Sequence, residues 1–341
     1  MIAAFTLCST NYFAQALALG HSFLRHHPSS DFYIILVDKK SDKNVCHDFR
    51  IKLIEIEKIE TSILSLADRY NIIELNTAVK PQVFLYLFSN TVAEYIYYLD
   101  PDIYIYQDFH ELSSFLESYE VLLTPHILTP IPIDGKTPFE NDFLNFGLYN
   151  LGFLGLKRSE KTLELLFWWK ARTYQYGYDN LAKGLFVDQL WMNLVPLLHQ
   201  KVKIINHPGY NMGPWNLHER LLSIAEEKYY VNGDQPLFFY HFSTLNPLSE
   251  LRLHPVFNRF DFTNRPDLLK LYQDYANELI ELGYAEFKPL SCYYVEWRRQ
   301  QILKADQDAY NHLPFNRKVF RKVKNVFPEK IRKAIHVLID T

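Results

Sequence analysis

Hydrophobic positions in the first half of the chain switch repeatedly between a strand-like run and a helical period. Residues 2–8 form a short apolar run, followed by Ser9-Thr10-Asn11 and by a helical pattern through Phe13, Ala16, Leu17, Phe23 and Leu24. That order predicts a strand, capping residues and a helix. Residues 32–37 predict a second buried strand closed by Asp38, and residues 51–56 alternate apolar and charged positions as a half-exposed strand does. Helices are expected around 62–70 and over 77–88, where Pro81 falls early enough for its missing N–H to do little harm. Further strands are expected at 95–99, 103–106, 121–124, 148–156, 202–205 and 237–242. A helix starts near Asp108, and others cover 161–174, 187–199 and 266–282. Residues 125–142, rich in Pro, Asp and Thr, read as a long loop of the kind that often serves as a lid. Strands alternating with helices imply an α/β fold around a mostly parallel sheet. The expected division is a catalytic domain over 1–262 and a helical C-terminal extension over 263–341.

The sharpest transition in this pattern lies after Leu99. The aromatic run Tyr95-Ile96-Tyr97-Tyr98-Leu99 ends in Asp100-Pro101-Asp102. Proline cannot continue a central strand, so the chain must turn there. The turn leaves two carboxylates at the carboxyl edge of the sheet, where open α/β folds bind ligands. Paired carboxylates repel unless a cation lies between them, and hard divalent ions prefer oxygen ligands. A solvated turn after a strand is the plainer alternative.

Composition narrows the rest. The chain has 341 residues and a formal net charge of −3, which argues against a general nucleic-acid binder. Three cysteines, an odd number without metal-ligand spacing, read as reduced thiols of a cytosolic protein. The first residues lack a basic signal-peptide start, and no apolar run approaches the ~18 residues that span a bilayer. With 11 glycines in all, none in a phosphate-binding loop, dinucleotide and nucleotide-loop fingerprints are absent.

Four landmarks in order give the chain a resemblance to GT-A glycosyltransferases, most closely the glycogenin-like family 8 enzymes and bacterial relatives from polysaccharide gene clusters. They are Asp100-Pro101-Asp102, Tyr149-Asn150-Leu151-Gly152-Phe153, Phe186-Val187-Asp188-Gln189 and His241-Phe242-Ser243. The resemblance implies a GT-A fold and a metal-dependent transferase. It would move a sugar from a nucleoside-diphosphate donor, a UDP-sugar first of all, to a saccharide or lipid-linked acceptor in surface polysaccharide synthesis, retaining the anomeric configuration. It implies that Asp100, Asp102 and His241 hold Mn²⁺ or Mg²⁺, which neutralises the departing nucleoside diphosphate. It also implies that Asp188, Gln189 and Asn150 approach the donor sugar. The chain departs from the family after His241, where Thr244-Leu245-Asn246-Pro247 stands in place of a glycine, lysine, proline and tryptophan. Lys80 is the substitute candidate for the missing diphosphate contact.

Each candidate has a plainer reading. His241 beside an apolar strand suits a structural histidine, Asp188 an ordinary helix N-terminus, Asn150 a turn, and Lys80 an exposed first-turn lysine. Thr6, Cys8, Asn11 and Tyr12, around the end of the first strand, and Asp38, at the end of the second, are positional candidates for the base and ribose. Residues 206–216, dense in turn formers, either shape an acceptor pocket with Trp215 as a sugar platform or form a tight structural loop. Outside the leading reading stand a sugar-nucleotide pyrophosphorylase, which would need a Gly-rich N-terminal loop, and a non-catalytic nucleotide-sugar or glycan binder. Arg317, Lys318, Arg321, Lys322, Lys324, Lys330, Arg332 and Lys333, interleaved with apolar residues, suggest a basic amphipathic tail that lies on an anionic membrane surface. Such a protein would be cytoplasmic and peripheral on the inner face of the cell membrane.

Overall fold

A computed structural model describes residues 1–312 of the chain; the basic segment from Arg317 onward lies outside the described residues. The first three strands, β1 (Ile2–Cys8), β2 (Asp31–Leu36) and β3 (Ile51–Glu55), are parallel neighbours, with helix α1 (Phe13–His26) between the first two. Ala14, Ala16 and Ala18 are buried on α1, so little more than a methyl group separates that helix from its neighbours. Three helices, α2 (Ile63–Arg69), α3 (Ile72–Ala78) and α4 (Lys80–Asn90), lead to β4 (Tyr95–Leu99). The helix expected over 77–88 is α4, starting at Lys80, and α3 before it is an additional helix. A capping box starts α3 early: the Asn71 side chain accepts from the N–H of Ile73 and Glu74, and Glu74 accepts from the Asn71 N–H. Pro81, lacking an N–H, cannot continue that ladder and sits in the first turn of α4.

After the Asp-Pro-Asp turn come the short β5 (Ile103–Ile105), α5 (His110–Ser118) and β6 (Val121–Pro125). The long loop that follows ends in α6 (Glu140–Phe146), whose first turn carries Glu140 and Asp142. There Asp142 accepts from the Phe139 N–H at 2.9 Å. Next are β7 (Tyr149–Lys157), α7 (Glu160–Tyr176) and a small hairpin, β8 (Asp179–Asn180) and β9 (Leu185–Phe186). The helix expected over 187–199 is a 3-10 turn followed by α8 (Val195–Leu198), because Pro196 has no N–H for an α-helical ladder. Then follow β10 (Val202–Ile204), a three-stranded sheet of β11 (Leu222–Ala225), β12 (Lys228–Val231) and β13 (Gln235–Pro236), and β14 (Phe239–His241).

The central sheet has seven strands in the order β10-β6-β7-β4-β1-β2-β3. All run parallel except β7, which is antiparallel to both neighbours. The fold is thus α/β with a mostly parallel sheet, as the alternation predicts. Strand β14 stands apart from it and pairs antiparallel with β5. The sheet's aromatic and aliphatic side chains merge with those of α1 and of α9 (Leu269–Glu281) into one core that includes Leu271, Tyr272 and Tyr275. Packing groups Met1–Tyr293 into one compact unit, with a second beginning at Tyr294. Helices α9 and α10 (Tyr284–Phe287) therefore belong to the first unit, where the sequence division placed them in an extension from 263. Helix α11 (Tyr293–His312) carries the chain into the second unit. Among the described residues, no helix is long and apolar enough to cross a membrane.

Candidate metal centre

Register places the carboxylates. Leu99 pairs with Phe153 on β7, and the Asp100 N–H then donates to the Gly152 carbonyl at 2.8 Å. The Ile103 N–H donates to the Asp100 carbonyl at 3.0 Å and closes the turn. Strand β5 then runs against β14 with His241 opposite Ile103, and the Phe242 N–H donates to the Asp102 carbonyl at 2.8 Å. Two backbone ladders therefore converge on one turn. His241 Nε2 lies 3.0 Å from Asp102 Oδ1 and 3.8 Å from Asp100 Oδ2. One ligand atom from each of the three residues lies within 4.8 Å of the other two.

The donor set fits a divalent ion. Two carboxylate oxygens and one imidazole nitrogen suit Mn²⁺ or Mg²⁺, with room for further oxygen ligands. Burial works against a charged His241, but Asp102 and then Asp100 outweigh it, and the imidazole is shifted upward. This site attracts positive charge. The Tyr98 hydroxyl donates to Asp100 Oδ1, and burial, followed by the Asp100 charge, keeps that phenol protonated. Gly152 makes the space. A Cβ there would lie 2.5 Å from His241 Cε1 and 2.7 Å from Asn150 Oδ1, so only glycine lets the histidine reach the carboxylates.

Asp100, Pro101 and Asp102 form one wall of a cavity of about 290 Å³, which Cys8, Ser9, Asn11 and Tyr12 close from the end of β1. Tyr12 stays protonated through burial and the nearby Asp102. Thr6 does not reach this cavity; it is buried within β1. Asp38 is also buried and spoken for. Its Oδ2 accepts from the Thr10 N–H at 3.1 Å, and its Oδ1 from Lys39 at 2.9 Å and Tyr293 at 2.7 Å. It ties the loop after β1 to the end of the first unit and offers no open face to a ribose. The cavity's other wall, Ile72, Ile73, Asn76 and Thr77 of α3, was not anticipated. The Asn71-x-x-Glu74 capping box was the available signal for a helix there.

None of Asp188, Gln189, Asn150 and Lys80 is among the residues that line the cavity at the carboxylates. Lys80 is neither exposed nor open to a diphosphate: its Nζ is 2.6 Å from Asp188 Oδ2, with both side chains 2% exposed. The same ammonium donates to the Leu151 carbonyl at 3.2 Å and sits 4.0 Å from the Tyr98 ring centroid. Burial pushes the Asp188 carboxyl up, against the pull of Lys80. Trp169 Nε1 donates to the Asp188 carbonyl at 3.1 Å. Just before it, Val187 has φ 40, a left-handed conformation that a β-branched residue adopts only when its surroundings force it. Gln189 spends its amide on backbone, accepting from Leu151 N–H at 2.9 Å and donating to the Phe146 carbonyl at 3.0 Å. Asn150 Oδ1 accepts from Gly152 N–H at 2.9 Å and from Asn211 Nδ2 at 3.1 Å. Its Nδ2 meets His126, whose imidazole burial pushes down to about 4 and so keeps neutral.

The turn-rich segment 206–216 is a buried brace. Asn211 also donates to Thr124 Oγ1 at 2.8 Å, and Asn216 donates to the carbonyls of His126 and Asn211, both at 3.1 Å. Trp215 is buried, with its ring edge-on to His241 at 5.1 Å, so it supports the histidine instead of offering a sugar platform. His126 went unnamed because it reads in sequence as an ordinary loop polar residue; Asn211 and Asn216 lie in the 206–216 segment, whose reading as a tight structural loop the structure matches.

A scan against protein-family models and a search of curated proteins gave no match. Solved structures do align. The galactosyltransferase LgtC, crystallised with donor and acceptor sugar analogs, aligns at 15% identity and a TM-score of 0.48, over 87% of this chain and 99% of its own. The glycosyltransferase GlyE of Streptococcus pneumoniae TIGR4 aligns at 13% identity and 0.46, over 82% of this chain and 62% of its own. The bifunctional glycosyltransferase WbbM aligns at 14% identity and 0.45, over 88% and 51%.

Proposed function

We propose that this protein is a metal-dependent glycosyltransferase that takes a sugar from a nucleoside-diphosphate donor, a UDP-sugar, to a saccharide or lipid-linked acceptor. The observation that carries the reading is the Asp100–Asp102–His241 cluster opening on a cavity closed by the end of β1. A cation held there neutralises the charge that develops on the leaving diphosphate. Every other step belongs to the chain. Asn11 and Tyr12 are placed to hold the nucleoside, with the α3 residues Ile73 and Asn76 facing them across the cavity. Lys80 and Asp188, locked to each other, fix the Leu151 carbonyl and the Tyr98 ring. Gln189 fixes the backbone on either side of Asn150. These residues keep His241 and the carboxylates in register, so their part in turnover is to hold geometry.

Retention of configuration and a role in surface polysaccharide synthesis are finer parts of the proposal and rest on the motif resemblance alone; attachment at the cytoplasmic membrane face is another, and rests on the basic amphipathic sequence from Arg317 onward. The test is a panel of nucleotide sugars with Mn²⁺, scored for released nucleoside diphosphate. The expected result is metal-dependent release from one donor, abolished in Asp102→Ala. Binding of a nucleotide sugar without any release, with or without acceptors, would instead make the protein a non-catalytic binder.

A further inference from the structure

We infer that the chain carries a second saccharide-binding site, selective for an acidic sugar, on the β8–β9 hairpin side of α7. A cavity of about 710 Å³ lies there, lined by Arg69, Tyr176, Tyr178, Asn180, Lys183 and Trp191 among others. Its chemistry differs from that of the metal centre. No Asp or Glu lines it, although the chain as a whole carries net charge −3. Two cations face it instead. Arg69 is held in place by donating to the Gln175 carbonyl at 3.1 Å. Lys183 is exposed on the hairpin tip and forms no ion pair among the described residues.

The walls are aromatic. The Tyr176 and Trp191 rings lie 6.3 Å apart, and Trp168 meets Trp191 edge-on at 6.5 Å. The C–H face of a pyranose ring carries slight positive charge and rests on the negative face of such rings. Aromatic rings, the amides of Asn180 and Gln175, and two cations in a lining without Asp or Glu together fit a carboxylated or phosphorylated sugar better than a neutral one. The site shares no lining residue with the cavity at the carboxylates, so it stands whether or not the proposed reaction is right.

The test titrates the full chain with an unsulfated tetrasaccharide of alternating glucuronate and N-acetylglucosamine, and in parallel with neutral cellotetraose. Indole N–H resonances are followed by NMR, with Trp191 assigned through Trp191→Phe. The acidic tetrasaccharide is expected to move the Trp191 resonance and to bind about tenfold more tightly than the neutral one. Lys183→Ala is expected to lower that affinity about tenfold while leaving donor hydrolysis unchanged, and Asp102→Ala is expected to leave the affinity intact. Any of four results would overturn the inference: no movement of Trp191 with either sugar at about 10 mM, equal affinity for both, full affinity in Lys183→Ala, or tighter binding of an oligouridylate.

Discussion

Two charged clusters share this half of the sheet, and they differ in stoichiometry and in access to water. Asp100 and Asp102 are 32% and 18% exposed and face a single imidazole; Lys80 and Asp188 are each 2% exposed and matched one to one. The first sets two carboxylates against one imidazole and has an open side, the arrangement that the proposed cation would need. The second has spent its charges on each other in a low-dielectric interior, where an ion pair holds geometry tightly but binds nothing further. Carboxylates of one chemistry thus become a ligand site or a structural strut according to how many cations the fold supplies.

The sharpest way to break this contrast is Asp102→Ala. Nucleoside diphosphate release should fall on the order of 10³-fold, while the thermal midpoint stays near that of the parent because the residue lies at the open edge. EDTA should reproduce the loss and Mn²⁺ reverse it. Full turnover in EDTA would show that the open cluster is not a metal site.

Lys80→Met attacks the other cluster and should behave oppositely. It leaves Asp188 buried without a counter-charge, at a cost of about 3–5 kcal/mol in urea unfolding. Removing both charges in Lys80→Met/Asp188→Leu should recover most of that stability and preserve Mn²⁺ affinity. A double variant as unstable as the single one would mean that the pair contributes more than mutual neutralisation.

Gly152→Ala tests the join between the clusters, since the glycine carries the carbonyl that orients Asp100 and the space that admits His241. Overpacking there should cost about 1–3 kcal/mol and weaken Mn²⁺ binding measured by calorimetry. Unchanged Mn²⁺ affinity would remove His241 from the ligand set.

The smallest expected effect is that of Val187→Gly. Relief of the left-handed strain and the added freedom of glycine in the unfolded chain oppose each other, so stability should change by no more than about 1 kcal/mol. Turnover should drop modestly as the Lys80–Asp188 pair loosens its hold on the Leu151 carbonyl and the Tyr98 ring. A loss of several kcal/mol by urea titration would show that the valine side chain matters more than its backbone conformation.

Much of this arrangement is legible in the residues. Asp100-Pro101-Asp102 closes an aromatic strand as local rules require, and the family resemblance implied that His241 belongs with it; the structure brings the three side chains together. The alternation of strands and helices was enough to expect a parallel sheet. What escaped was set by tertiary contact. Lys80 reads as a solvated first-turn lysine, and only the return of residue 188 to the same spot buries it. Asp38 reads as a ligand at a strand end, but backbone N–H groups of Thr10 and Tyr293, from two distant segments, and of its neighbour Lys39 claim it. Trp215 reads as a platform until Gly213, where a Cβ would touch its ring, shows how closely it is packed. The β11–β13 sheet was missed although Asn232-Gly233, both at positive φ, carried a turn signal.

The pairing of β14 with β5 has a consequence for the making of the protein. Synthesis runs from the N-terminus, and every strand of the central sheet exists once Ile204 has been added. His241 comes 37 residues later, which at about 5–20 residues per second is roughly 2–7 seconds of translation. During that interval the nascent chain has both aspartates but not His241, and even afterwards the histidine must clear the ribosome before it can dock. Under the proposed reading, tight metal capture would wait until the later half of the chain has closed on the earlier one, and loading with Mn²⁺ would report that folding is finished.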